Sequence, residues 1–111
     1  MKTLHLALKA EYFDAIRSGK KLEEFRLFTP YWEKRLKSPD GSQINYDQII
    51  LTRGYPKAGD PERTLWLPYF GWREITLTHK HFGLDAVHVF AINVSGKYDL
   101  HEAWLSQYSG R

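Results

Sequence analysis

Gly19-Lys20-Lys21-Leu22-Glu23-Glu24-Phe25-Arg26 is the stretch on which the reading of this chain turns. A glycine that suits the left-handed end of a helix is followed at once by lysines, glutamates and an arginine. Residues 22–28 suit a strand, whose side chains alternate between its two faces. One face then carries Leu22, Glu24, Arg26 and Phe28, and the other Glu23, Phe25 and Leu27. Glu24 and Arg26 thus share a face with apolar neighbours, where charges must be paired or put to use because unpaired burial is costly. The alternative is a solvated edge strand whose charges deter aggregation. A one-residue slip exchanges the faces, which keeps Lys20 and Glu23 beside Lys21 and Glu24 as candidates.

Outward from this strand, leucines at positions 4, 6 and 8 predict a strand over residues 3–8. Phe13 and Ile16, three apart, predict a short amphipathic helix over residues 10–18. Thr29-Pro30 is a helix start, with a hydroxyl at the N-cap and proline at N1, and Pro39-Asp40-Gly41 is a turn beyond it. Residues 47–53 read as a strand with Ile49, Ile50 and Leu51 buried, turned by Gly54-Tyr55-Pro56 into a polar, mobile loop at 57–63. Further strands are predicted at 64–69, 73–78 and 87–94, and Asp99 can cap a last helix. Five or six strands with two or three short helices predict a small α+β barrel, since closure removes exposed edges. An open α+β sandwich is the alternative.

The 111 residues suit a single domain over 1–111, of soluble globular composition at 42% hydrophobic and 26% charged. No apolar run approaches membrane-spanning length, and Met1-Lys2-Thr3-Leu4-His5 lacks the apolar stretch of a signal peptide. The absence of cysteine excludes a disulfide framework, a thiolate nucleophile and a Cys-based zinc site. A cytoplasmic protein is the simplest expectation. A net charge of +3 with four Trp and seven Tyr suits a surface that attracts phosphate and stacks on bases. The bland counterpart is that aromatics fill a small core and the charge aids solubility. The balanced sign pattern argues against a tight duplex-DNA binder.

Leu6-Ala7-Leu8-Lys9, Tyr12-Phe13-Asp14-Ala15-Ile16 and the quoted 19–26 stretch together resemble the opening of an ASCH domain. That family pairs a short helix and a glycine-lysine turn with a strand reading roughly G-x-K-x-x-E-x-R. Leu51-Thr52-Arg53-Gly54-Tyr55-Pro56 and Val89-Phe90-Ala91-Ile92 extend the likeness loosely to about residue 94, leaving 95–111 as a tail or helix. The resemblance implies a PUA-like β-barrel whose cleft takes RNA or a nucleobase. Some small members are amidohydrolases that deacylate N4-acetylcytidine, using the lysine after the glycine turn, a threonine three residues on and a glutamate from elsewhere. Here the lysine falls on Lys21, the threonine position holds Glu24, and Arg26 follows.

With no hydroxyl at that position, amide hydrolysis turns to a carboxylate acting as general base on water. Glu24 or Glu23 would take the water proton, Lys21 would stabilise the oxyanion or protonate the leaving amine, and Arg26 would orient the carboxylate. This chemistry calls for no cofactor. Its partner is a small-molecule nucleoside, with RNA as the alternative. Tyr12, Tyr31, Trp32 and Tyr55 are candidates to stack on a base, although such rings are more often core, and Arg53 is a candidate to contact a phosphate or base, with a structural salt bridge as its equal rival. His79-Lys80-His81 places two imidazoles two apart, but no third ligand is evident, so hydrogen bonding in a turn outweighs metal binding. A non-catalytic RNA-binding module and a ribonuclease are the rival functions, since fold alone fixes no activity.

Overall fold

Leucines at every second position build β1, Thr3–Leu8, with Leu4, Leu6 and Leu8 buried along one side. The computed structural model describes residues 1–56, 60–83 and 85–98. Helix α1, Ala10–Arg17, follows directly and buries Phe13 and Ile16. Strand β2 is Glu23–Leu27, and α2, Pro30–Leu36, opens with the Thr29 hydroxyl accepting from the Trp32 N–H at 3.4 Å. Strand β3, Gln48–Arg53, buries Ile49 and Leu51. Ile50 was expected buried too and is half-buried, because alternation sends it to the opposite face. Strands β4, Thr64–Pro68, β5, Trp72–Leu77, and β6, Val87–Asn93, complete the set.

The six strands form two three-stranded sheets, in the orders β1-β3-β4 and β2-β6-β5. Among the described residues no ladder joins them, so two sheets stand where a closed barrel was expected. Both feed one core: Leu6, Ile49 and Leu51 from the first sheet meet Phe90 and Ile92 from the second, with Phe13 and Leu36 from the helices. A side-chain hydrogen bond links β2 to β1, from Arg26 Nη2 to the Ala7 carbonyl at 3.1 Å. Strand β1 pairs parallel with β3, whereas the other pairings are antiparallel. The α+β class and the order of elements therefore match expectation, with boundaries differing by a residue or two.

Residues 57–59 of the expected loop lie outside the described residues, and Pro61–Arg63 is a 3-10 turn capped by Asp60. The helix expected from Asp99 lies outside the described residues as well. Gly71, just before β5, has φ +88°, and a Cβ there would meet Gln43 Oε1 at 2.5 Å. That amide accepts from the Trp72 N–H at 3.0 Å and donates to the Trp72 carbonyl at 2.7 Å, serving the end of β5 as a strand neighbour would. Gly71→Ala is thus expected to combine left-handed strain with the loss of both bonds, at about 2 kcal/mol. Urea denaturation reading under 0.5 kcal/mol would show that Gln43 is not holding β5.

Candidate active site

The turn after α1 determines where Lys21 points. Gly19, at φ +82°, lets the chain reverse, and the Lys20 and Lys21 N–H groups both donate to the Ala15 carbonyl, at 2.9 and 3.1 Å. Two residues into β2, Glu24 turns inward and is 4% exposed. Its Oε2 lies 2.9 Å from an Arg26 guanidinium nitrogen, and its Oε1 lies 3.6 Å from Lys21 Nζ. Arg26 is further fixed by its bond to Ala7 and by the Trp32 ring, 5.1 Å from its guanidinium carbon. Its Nε is buried with no hydrogen-bond partner among the described residues, which leaves one donor for water or a ligand.

Beside this cluster lies a small hollow lined by Tyr12, Lys21, Glu24, Phe25, His79 and Phe82. Its volume is about 10 Å³, room for a single water. Aromatic rings form most of the wall: His79 lies 5.7 Å from Tyr12 and 5.9 Å from Phe25, and Lys21 Nζ sits 4.3 Å from the Phe25 ring centre. Burial raises the Glu24 carboxyl above its ordinary 4.5, against the opposing pull of Arg26 and Lys21. Burial likewise lowers Lys21 below its ordinary 10.5, with Glu24 working against it. His79 falls below its ordinary 6.5 through burial and through the positive charges of Lys21 and Lys80. Burial, then Glu11, raises the Tyr12 hydroxyl, so it remains a donor. The site therefore offers a carboxylate acceptor, an ammonium donor and flat walls in a dry setting.

Of the residues singled out from the sequence, Lys21, Glu24, Arg26 and Tyr12 come together. Trp32 lies against Arg26, and His79 lines the hollow, whereas Glu23, Lys20, Tyr31, Arg53 and Tyr55 do not join them. Glu23 faces the opposite side of β2 and reaches diagonally across β6 to hold Arg73 with two bonds of 2.8 Å. Lys20 is exposed in the turn. Tyr31 is 55% exposed under the Arg35 guanidinium, although it packs edge-on against Trp32. Arg53 pairs with Asp14 at 3.3 Å, and Asp14 lies about 200° around α1 from Tyr12. Tyr55 is 95% exposed. His79 and Phe82 were not anticipated as lining. They arrive on the segment after β5, whose Lys80 reaches Glu11 at the start of α1 at 3.1 Å. Lys80–Phe82 form a 3-10 turn, in keeping with the expectation of a turn there. Among the described residues, no three His, Asp or Glu side chains group to hold a metal, and no helix is long and apolar enough to cross a membrane.

Comparison with protein families, characterised proteins and solved structures finds no match to this chain.

Proposed function

We propose that this chain is an amidohydrolase that removes the acyl group from N4-acylated cytidine, on a PUA-like domain of the ASCH kind. The observation that carries the reading is the buried Lys21–Glu24 pair, 3.6 Å apart, beside a hollow walled by aromatic rings. Glu24 Oε1, the oxygen not held by Arg26, takes a proton from water. The hydroxide adds to the acyl carbon, and the Lys21 ammonium stabilises the oxyanion that forms. Collapse breaks the bond from carbon to the exocyclic nitrogen, which leaves with the proton from Glu24, giving a carboxylic acid and cytidine. Arg26 keeps the carboxylate aimed. The absence of cysteine and the small nucleoside substrate accord with a cytoplasmic setting.

The test is release of cytidine from N4-acetylcytidine by the purified protein. Turnover that changes little with salt supports the reading, since a nucleoside carries no phosphate to neutralise. Absence of turnover overturns it.

The rate profile carries a further prediction. The base must be ionised and the ammonium protonated, so kcat/KM should be bell-shaped with limbs belonging to the coupled pair. Burial raises Glu24 and lowers Lys21, so the rising limb should lie above pH 4.5 and the falling limb below pH 10.5. Lys21→Met removes a charge that favours ionised Glu24, and what activity remains should show its rising limb at higher pH. A rising limb that stays in place would detach Lys21 from Glu24.

One observation favours the RNA-binding reading instead: an open cleft of about 680 Å³ whose lining holds Lys2, Lys34 and Lys37 against one carboxylate, Glu33, although Lys37 also pairs with Glu74 at 3.7 Å. Oligonucleotide binding that weakens steeply with salt, without release of product, would support it.

A further inference from the structure

We infer that His79 is a substrate-contacting residue, the movable wall against which a flat pyrimidine ring is received. The inference rests on the hollow being the substrate site, and it begins from size. Ligand pockets commonly run from about 300 Å³ upward, and this hollow holds about 10 Å³, so any ring that enters displaces a wall. Tyr12 stands on α1 and Phe25 on β2, and Lys21 and Glu24 are fixed by the turn and the ion pair.

His79 and Phe82 instead sit on the short segment that follows β5. One of its ties is the Lys80–Glu11 pair, whose side chains are 73% and 56% exposed. Such a contact is readily loosened by water and salt. The two rings are tilted by 59°, so when the segment moves and His79 turns toward Phe25, a ring that parts them takes the place of their 5.9 Å contact and lies between two flat faces. Imidazole suits this position because it is both flat and polar, where Phe25 and Phe82 are flat alone. Burial, then the positive charges of Lys21 and Lys80, disfavours its charged form, with Glu11 working against them. A neutral ring meets an uncharged pyrimidine without repelling the nearby Lys21 ammonium.

The experiment is a titration of the intact protein with cytidine, the product, followed by the imidazole signals in NMR. His79 is assigned from the spectrum of His79→Gln, and the exposed His5 and His88 serve as internal references. The His79 signals should move on saturation while those of His5 and His88 stay in place. In turnover, His79→Ala should raise KM for N4-acetylcytidine about tenfold with kcat changed less than threefold, and His79→Phe should recover part of the loss through its flat face. A static His79 signal at saturating cytidine, or an unchanged KM in His79→Ala, overturns the inference. The two proposals fail separately. Movement of the His79 signals without deacylation sinks the reaction and leaves the contact, whereas deacylation with wild-type KM in His79→Ala does the reverse.

Discussion

Glu24→Gln is expected to lower kcat/KM for N4-acetylcytidine by about a thousandfold while the protein still folds. The amide keeps the shape of the side chain and can accept from Arg26, but it cannot take a proton from water. Glu24→Ala should do more. It leaves the Arg26 guanidinium, half-buried against Trp32 and Ala7, without the carboxylate 2.9 Å away, and removing one partner of such a pair costs about 3 kcal/mol. Replacing both, as Glu24→Leu with Arg26→Met, should return much of the stability and none of the activity, because well-packed apolar groups need no counter-charge. Urea denaturation beside the deacylation assay reads the two effects apart. Activity within threefold of wild type in Glu24→Gln would remove Glu24 as the base.

The second large effect is expected at Phe90, which is 0% exposed at the centre of the second sheet. Its ring stacks on Phe28 at 3.8 Å and meets Trp72 edge-on at 4.8 Å. In register it stands between Arg26 on β2 and Glu74 on β5, so this hydrocarbon lane separates the buried cluster from a more exposed carboxylate. Phe90→Ala should cost about 4 kcal/mol, through lost burial and a cavity that neighbouring strands cannot close. That is a large part of what a domain of this size possesses. Melting followed by circular dichroism should fall by well over ten degrees. A fall of a few degrees would mean that Phe28 and Trp72 collapse into the space.

The first third of the fold was legible because local rules decide it. Leucine alternation, the Phe13–Ile16 spacing, the glycine turn and the Thr29-Pro30 start each act over a few residues, and all reappear in the structure. The inward face of β2 was legible as well, once Glu24 and Arg26 were placed with Leu22 and Phe28. What alternation left open was whether Glu23 shared the site. The answer depends on β5 lying beyond β6, which brings Arg73 to Glu23 across fifty residues of chain. His79 posed the same difficulty. Its motif is visible in the sequence, but nothing local says that the turn after β5 lies over α1. Lys80 and Glu11, 69 residues apart, are where that placement is recorded. The barrel expectation counted the strands well; how they divide into sheets depends on edge pairings that composition does not encode.

Strand β1 has its partner in β3, Thr3 opposite Gln48, and β2 has its partner in β6, Glu23 opposite Asn93. Neither strand finds its ladder near itself in the chain. On a translating ribosome the opening segments must therefore wait, the first until β3 emerges and the second until nearly everything described here has been made. For that interval Lys21, Glu24 and Arg26 lack the strand that later pairs with their own, and water screens their charges. Among the described strands, the pairing that encloses this cluster is thus the last to become possible.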